Sequence, residues 1–256
     1  MNDRGILTVG LRAPEITRKF TNYPSEGGIT SANNTSNPGN HPIFYQIEKK
    51  YHDVLPQIGA RFNIDREQQV FANVGKNFRA PPNFAFAPTN GNVTITNGVA
   101  VLTGDVKAET SINTDIGYRL QTKAITFSAT AFQVDFKDRQ ATAFDPNTLK
   151  SIYTNAGKAR TRGVELEAGT TPINGWSLYG SLTVQQSKVL NDIRTSATAV
   201  LPTTGKHFAL TPRTMAGLAL QYTNGPLYAR LKAKHTGNQY ATLMNDEEVP
   251  SYMTAD

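Results

Sequence analysis

The stretch from Thr154 to Val189, "TNAGKARTRGVELEAGTTPINGWSLYGSLTVQQSKV", contains two long runs of alternating apolar and polar residues, joined by a Pro/Gly turn. In the first run Val164 and Leu166 alternate with two glutamates, and the second run alternates from Trp176 to Gln185. This pattern is typical of a β-hairpin. Each run has about ten residues or more, longer than the roughly 5–6 residues of an ordinary soluble strand. Tilted strands of that length can cross a lipid bilayer.

The composition of the chain excludes several classes of protein. With 256 residues, a mean hydropathy of −0.41 and no cysteine, the chain has neither a disulfide framework nor a thiolate metal site. No window approaches the roughly 18 consecutive apolar residues of a transmembrane helix. A transmembrane β-barrel stays possible, because its lipid-facing residues alternate with polar ones. The net charge is +6, but Lys and Arg are scattered, so no nucleic-acid partner is expected.

Short and long connections alternate strictly along the chain. Short turns are predicted near residues 65, 122, 173 and 225, and long polar loops near 30, 93, 145, 198 and 245. An antiparallel up-and-down barrel gives this arrangement, because its periplasmic turns are short and its outer loops are long. We therefore predict an all-β, antiparallel up-and-down meander of nine complete strands and the beginning of a tenth. These strands would form an open part of a transmembrane β-barrel.

One strand, from Ala124 to Lys137, has an ambiguous phase. Its apolar residues change faces partway along, and we predict a β-bulge near Ala131 to account for the change. The two apolar sets are Ile125, Phe127 and Ala129 on one face, and Phe132, Val134 and Phe136 on the other.

Several segments resemble the TonB-dependent outer-membrane receptors. Phe71–Phe84, "FANVGKNFRAPPNF", is similar to their aromatic-x-FRAP segment, and the opening hairpin resembles their N-x-G-x5-G-V-E-L-E hairpin. Leu55–Phe62, Glu109–Arg119 and Phe208–Tyr222 also look like strands of that family, in the family's order. The resemblance covers nearly the whole chain. It implies a receptor in the outer membrane of a Gram-negative bacterium, which imports a scarce ligand, most simply a ferric siderophore.

The resemblance also implies that residues 1–256 are only part of such a barrel domain. The receptors have barrels of about 22 strands with a plug inside. We expect the plug domain, the signal peptide and the C-terminal strands to lie outside this chain. The implied partners are the outer-membrane lipid, the plug domain of the full-length receptor, a siderophore-type ligand and, through the missing segments, the TonB energy-coupling complex. No cofactor is expected.

The candidate ligand-binding residues are four cations. Arg230, Lys232 and Lys234 share one face of a predicted strand with Tyr228, and in a barrel they would face the lumen. There they would contact the plug or attract an anionic ligand, although a merely hydrated interior face stays open as an alternative. Arg79 lies in the FRAP segment, where it would anchor the end of the strand through hydrogen bonds or contact the ligand.

Other charged residues have simpler interpretations. Glu165 and Glu167 are predicted to face the lumen with Asp115, Arg119 and Arg61, as inter-strand ion pairs or plug contacts. No catalytic motif and no metal-binding spacing of histidines is found, so neither an enzyme nor a metal site is predicted. Two alternatives to the receptor stay open. They are a passive porin-like channel and a soluble carbohydrate-binding β-sandwich.

Overall fold

The computed structural model describes residues 4–22, 45–87, 92–96, 99–102, 106–145, 150–194 and 200–256. In this part the chain forms twenty strands and a short 3₁₀ helix at Asn83–Phe86. The strands are β1 (Gly5–Arg12), β2 (Glu15–Asn22), β3 (Tyr45–His52), β4 (Leu55–Asn63), β5 (Gln68–Arg79), β6 (Val93–Thr96), β7 (Val99–Leu102), β8 (Glu109–Gln121), β9 (Ile125–Lys137), β10 (Gln140–Asp145), β11 (Lys150–Asn155), β12 (Ala159–Thr170), β13 (Trp176–Val189), β14 (Ile193–Arg194), β15 (Val200–Leu201), β16 (Thr214–Asn224), β17 (Leu227–Thr236), β18 (Gln239–Tyr240), β19 (Glu248–Val249) and β20 (Tyr252–Ala255).

Ten of these strands form a single antiparallel sheet, in the order β1-β4-β5-β8-β9-β12-β13-β16-β17-β20. The predicted up-and-down meander is thereby confirmed. Its strands are joined by short turns at one end and by long connections at the other, which we call the outer end. The remaining ten strands pair as five ribbons within these long connections: β2–β3, β6–β7, β10–β11, β14–β15 and β18–β19. In the described part of the chain, β1 and β20 each have one neighbour, so the sheet is open.

The opening hairpin is formed by β12 and β13, which pair from Ala159 opposite Val189 to Gly169 opposite Tyr179. Its turn has positive φ angles at Asn174 (51°) and Gly175 (85°). Positive φ angles at two successive residues are typical of a type I′ turn, which Asn-Gly favours. Hairpins use this turn because its twist matches the twist of the flanking strands. The turn predicted from the sequence is confirmed.

The two faces of the sheet differ in chemistry. Arg61, Asn73 and Asp115 belong to one face of the sheet and line an open cavity there; we call this polar side the concave side and the opposite side the convex side. The convex side carries apolar side chains that remain exposed, with Val9 73% and Leu231 61% accessible. An apolar surface that extends across the strands of a whole sheet would be unusual on a soluble protein. On the wall of a barrel, lipid would cover it. Neither the single sheet nor this exposed face fits the two-layered β-sandwich alternative. No helix in the described residues is long and apolar enough to cross a membrane.

An aromatic pair marks the short-turn end of the convex face. Trp176 begins β13 and lies opposite Tyr222 of β16, and their ring centroids are 4.7 Å apart. Barrels place such aromatic residues at the membrane–water interface, where an amphipathic ring is partly in lipid and partly in water.

The predicted β-bulge near Ala131 is wrong. β9 pairs with β8 and β12 in continuous register through Ala131, whose partners are Ile116 and Val164. What changes along β9 is its surroundings. Beyond Ala131 the convex positions become polar, at Gln133 and Asp135, while the concave positions become apolar. A strand that leaves the membrane must show polar residues to water outside, and it can bury apolar residues beneath the outer connections.

The outer connections contain the main clusters of buried apolar residues. One cluster joins three successive connections, and the concave-face residue Phe136 packs against it. A second cluster joins β3 to the connection between β5 and β8. The clusters consist of Ala156, Ala159, Val189, Ile193, Leu201, Phe208 and Leu243, and of Tyr45, Ile47, Tyr51, Ala80, Phe86 and Val93.

The family resemblance of the sequence also implies that three long loops, Thr21–Pro42, Ala80–Lys107 and Asn191–Lys206, would capture the ligand, and the structure describes each of them only in part. Most of the Thr21–Pro42 loop lies outside the described residues. Ala80–Lys107 and Asn191–Lys206 are described in part, and both contribute buried residues to the outer clusters. These connections are therefore packed against the strand ends where they are described.

Candidate functional site

The basic stripe, which we define as Arg230, Lys232 and Lys234 on β17, lies on the concave face as predicted. On the neighbouring strand β16 the three cations stand opposite Gln221, Ala219 and Gly217. All three cations are exposed, and within the described residues none of them forms an ion pair. Asp256 pairs with Lys232 through two backbone hydrogen bonds, so one acidic residue lies beside the three positive charges of the stripe and offsets them only in part.

An open cavity of about 460 Å³ lies beside the basic stripe. Tyr179, Ser181 and Thr183 of β13 line it, together with the three cations and Asp256. Hydroxyl groups beside cations suit a ligand with anionic oxygen atoms, because the cations attract its charge and the hydroxyls donate hydrogen bonds. This arrangement can bind and orient a ligand.

A second cavity, of about 830 Å³, opens at the short-turn end of the concave face. Arg4, Arg61, Arg66 and Arg119 line it with two acidic residues of the β4–β5 turn. The Arg119 guanidinium lies 4.4 Å from the centroid of the Phe71 ring. Attraction between a cation and an aromatic face holds the arginine against the wall.

The charged residues predicted to form inter-strand ion pairs do share the concave face. Their cross-strand partners are mostly neutral: Glu165 faces Thr130 and Thr183, and Asp115 faces Asn73 and Phe132. Among the described residues no ion pair joins these carboxylates to Arg61 or Arg119. Within the described residues, these concave-face charges therefore form no ion pairs with one another.

Arg79 is exposed, but its backbone takes part in a largely buried polar cluster at the outer end of the sheet. Its backbone carbonyl accepts a hydrogen bond of 3.1 Å from the side-chain amide of Gln140. The backbone N–H of Gln140 donates to Oε2 of Glu109 at 2.7 Å, and the hydroxyl of Tyr153 donates to Oε1 of Gln140 at 2.6 Å. We call these four residues and Arg139 the mouth network. The backbone of Arg79 anchors the end of the strand, while ligand contact by its side chain stays a prediction.

Arg139 was not singled out from the sequence, yet it is the most buried cation of the mouth network. Its guanidinium carbon lies 4.0 Å from the centroid of the Phe136 ring and 3.6 Å from that of Phe208. Burial lowers the pKa of Arg139 to about 10, although the nearby Glu109 carboxylate opposes this shift. One guanidinium nitrogen, Nη1, is buried without a hydrogen-bond partner among the described residues. The short polar run "KDRQ" did not indicate that Arg139 would be buried. The apolar residues at the concave positions of β9 could have indicated it, because they predict that the outer end of this strand faces a protein core.

His207 ties two of the outer connections together. Its Nε2 lies 2.6 Å from Nη2 of Arg213, so the neutral imidazole accepts a hydrogen bond from the guanidinium. The backbone N–H of His207 donates to Oδ1 of Asn245 at 2.7 Å, and Nδ2 of Asn245 donates back to the His207 carbonyl at 2.9 Å. Burial holds the pKa of His207 below its ordinary value, and the charges of Arg213 and Lys188 add to the shift.

Acidification should loosen this junction. Because the folded-state pKa of His207 lies below the ordinary value of about 6.5, its contribution to stability is intact above that value and is lost as the pH falls below it. Hydrogen exchange of residues 206–213 and 241–246 in the full-length receptor, expressed relative to the intrinsic exchange rate at each pH, should therefore accelerate as the pH falls from about 7.5 to about 5. In His207→Gln, which keeps an acceptor for Arg213, the acceleration should disappear. The same acceleration in both proteins would show that another group is responsible.

Comparison with known proteins agrees with the architecture. A family model described as "TonB dependent receptor-like, beta-barrel" matches residues 1–256. The pesticin receptor of Yersinia pestis is 27% identical over 243 residues, which cover 90% of this chain and 33% of that receptor.

Solved structures of receptors share the fold. The ferric yersiniabactin uptake receptor FyuA from Yersinia pestis matches 100% of this chain and 35% of its own chain, with 24% identity and a TM-score of 0.68. The siderophore receptor PiuA from Acinetobacter baumannii matches 99% of this chain and 34% of its own, with 14% identity and a TM-score of 0.67. The chain thus spans about a third of the length of these relatives. It belongs to the TonB-dependent receptor-like β-barrel family, whose members are outer-membrane proteins of Gram-negative bacteria.

Proposed function

We propose that this chain forms part of the barrel wall of an outer-membrane receptor that takes up a ferric siderophore or a similar scarce, anionic ligand. The basic stripe carries the proposal, because its three cations, which form no ion pair within the described residues, outnumber the single acidic residue, Asp256, that lines the same open cavity on the concave face. The names of the relatives support the same class of ligand, since one of them is a ferric yersiniabactin uptake receptor.

In this proposal the chain supplies binding and positioning. The outer connections capture the ligand, and the basic stripe attracts its negative charge within a concave, polar surface that concentrates the field. Arg79, on the concave side at the outer end, would act where the ligand enters. The remaining strands, the plug domain and the contact with the TonB complex would come from segments outside residues 1–256. The lumen charges at Arg61, Asp115 and Arg119 would then face the plug.

The proposal is tested by removing the charges of the basic stripe in the full-length receptor. Arg230→Gln, Lys232→Gln and Lys234→Gln, made together, should weaken uptake of an anionic ferric tris-catecholate by about tenfold or more. The reason is that each charge contributes attraction along the path of the ligand. Uptake of a neutral ferric tris-hydroxamate should change little. Radiolabelled iron taken up by whole cells measures both.

A matched control removes three positive charges elsewhere. Arg4, Arg66 and Lys123 are exposed at the short-turn end of the sheet and do not line the cavity beside the basic stripe, so their replacement by Gln should leave uptake of both complexes unchanged. If the stripe variant assembles normally and takes up the anionic complex as fast as the parent does, the stripe is a hydrated wall and not a ligand site.

A further inference from the structure

A groove runs along the concave face between β13 and β17, and we call it the strand groove. Both strands pair with β16, which therefore forms the floor of the groove. Neighbouring strands of a sheet lie about 4.8 Å apart, so the two sides of the groove are about 10 Å apart. One side carries the hydroxyl groups of Tyr179, Ser181 and Thr183, and the other side carries the basic stripe.

The cations of the basic stripe are evenly spaced along the strand groove. They are alternate residues of one strand, so successive cations are about 7 Å apart. Lys234 is the nearest of them to the outer end, and Arg230 is the nearest to the short turn between β16 and β17. The Debye length at physiological salt is about 8 Å, so an anionic group that leaves one cation is already attracted by the next. The stripe thus offers a continuous series of positions to an anion.

The floor of the strand groove is small beside the two outermost cations. Gly217 lies between Ser181 and Lys234, and Ala219 lies between Tyr179 and Lys232. A Cβ atom added to Gly217 would have one neighbour within 4 Å among the described residues, the hydroxyl oxygen of Ser181 at 2.9 Å. This hydroxyl can rotate away. The space above Gly217 is therefore part of the open cavity.

Two other glycines of the concave face have a different role. A Cβ atom at Gly117 would strike the ring of Phe71, and a Cβ atom at Gly163 would strike the backbone carbonyl of Val184. At these two positions the packing of the wall itself requires glycine. At Gly217 the wall does not require it, and the missing side chain keeps the groove open.

We infer that the strand groove is a translocation path for the imported anionic complex, and that Gly217 keeps this path wide enough. The complex passes from Lys234 to Lys232 and then to Arg230, and it exchanges hydrogen bonds with the hydroxyl side. A series of similar sites favours passage, because a ligand must bind well enough to enter and loosely enough to leave. The inference rests on the proposed function, and it adds that the stripe moves the ligand onward as well as attracting it.

The first experiment fills the strand groove in the full-length receptor. Binding of ferric tris-catecholate is measured at equilibrium on cells without an energy source, and the saturated rate of uptake is measured on energised cells. Gly217→Leu should keep binding within about twofold of the parent and lower the saturated rate about tenfold, because leucine narrows the path and leaves the outer connections unchanged. The control Gly75→Leu adds the same side chain to the concave face of β5, where a Cβ atom lies at an ordinary 3.5 Å from Cβ of Gln57. It should bind and transport as the parent does.

A second variant removes any dependence on the assembly of Gly217→Leu. Residues 1–256 contain no cysteine. Gly217→Cys, in a full-length receptor free of other reactive cysteines, should transport as the parent does until a bulky thiol reagent is added to the assembled protein. Modification should then lower the saturated rate while binding persists. A cysteine that the reagent does not reach, or one whose modification leaves the rate unchanged, would overturn the inference.

The second experiment interrupts the series of cations. Lys232→Gln leaves a gap of about 13 Å between Arg230 and Lys234, which exceeds the Debye length of about 8 Å. Asp256, whose backbone is hydrogen-bonded to that of Lys232, then places a negative charge in the gap. The saturated rate should fall about threefold or more with binding unchanged, and Asp256→Asn added to Lys232→Gln should recover part of the rate.

Failure of the translocation path and failure of the proposed function give different results. If the stripe does not act on the ligand, the variant without its three charges takes up the anionic complex as fast as the parent, and both proposals are wrong. If the stripe is a static binding site, that variant loses uptake, but Gly217→Leu transports at the parental rate, or Lys232→Gln loses binding and uptake in equal measure. Either of these two results would overturn the translocation path alone.

Discussion

Leu182→Arg should prevent assembly of most of the full-length receptor, whereas Thr183→Arg should leave assembly nearly unchanged. Leu182 lies on the convex face between Leu166 and Ala216. An arginine on the lipid face near the bilayer midplane costs about 2–4 kcal/mol. Thr183 lies on the concave face beside Glu165, where an arginine is hydrated and has a carboxylate nearby.

The measurement is the fraction of receptor in outer-membrane preparations that migrates as folded barrel on an unheated gel. Leu182→Met is the matched control, because it changes the shape of the side chain and keeps it apolar, and it should assemble like the parent. Equal losses for Leu182→Arg and Thr183→Arg would mean that the convex and concave faces are assigned the wrong way round.

Glu109→Ala should disrupt the outer connections while the barrel wall remains assembled. Glu109 is 9% accessible and accepts the hydrogen bond from the backbone of Gln140. Without its carboxylate, a buried N–H donor is orphaned, at a cost of about 1–3 kcal/mol. The buried Arg139 also loses the neighbouring negative charge. Cleavage by an added protease within residues 138–158 should become about tenfold faster, because about 1.4 kcal/mol corresponds to a factor of ten in the open population.

Two further variants separate the causes of this effect. Glu109→Gln keeps an acceptor for the Gln140 N–H and should be cleaved at an intermediate rate. Glu109→Gln combined with Arg139→Met removes both charges and should recover much of the protection, since an uncompensated buried charge is worse than a neutral pair. If Glu109→Ala is cleaved no faster than the parent, the mouth network does not hold the outer connections in place.

The strands and turns could be predicted because their signals are local. Alternation with a period of two places Glu165 and Leu166 on opposite faces wherever the strand lies, and Asn174-Gly175 selects a tight turn by its backbone preferences alone. The face of the basic stripe follows from the same rule. The cavity beside the basic stripe could not be predicted, because its lining residues Tyr179 and Thr183 belong to β13. That strand lies near β17 only because both strands pair with β16.

The two failures also have physical reasons. Arg139 meets Phe208 across two outer connections, and such a contact depends on the packing of segments far apart in sequence. The predicted bulge near Ala131 assumed that apolar residues keep to one side of a strand. Periodicity reports which face is apolar, but not whether the apolar face looks toward lipid or toward a protein core. Along β9 the apolar residues first face lipid on the convex side and then, beyond Ala131, face the outer protein core on the concave side.

The unbroken passage of β9, β12 and β13 from lipid into the outer core has a mechanical consequence. Ala159 and Val189, at the ends of two of these strands, are themselves members of the buried outer cluster. No hinge separates these two residues from the apolar convex-face residues nearer the short-turn end, because the strands pair in regular register throughout. On this side of the receptor, the outer ends of these strands and their membrane-spanning parts therefore form one stiff unit. Any closing movement over a captured ligand would have to come from the tips of the connections, since tilting the rim would bend the sheet.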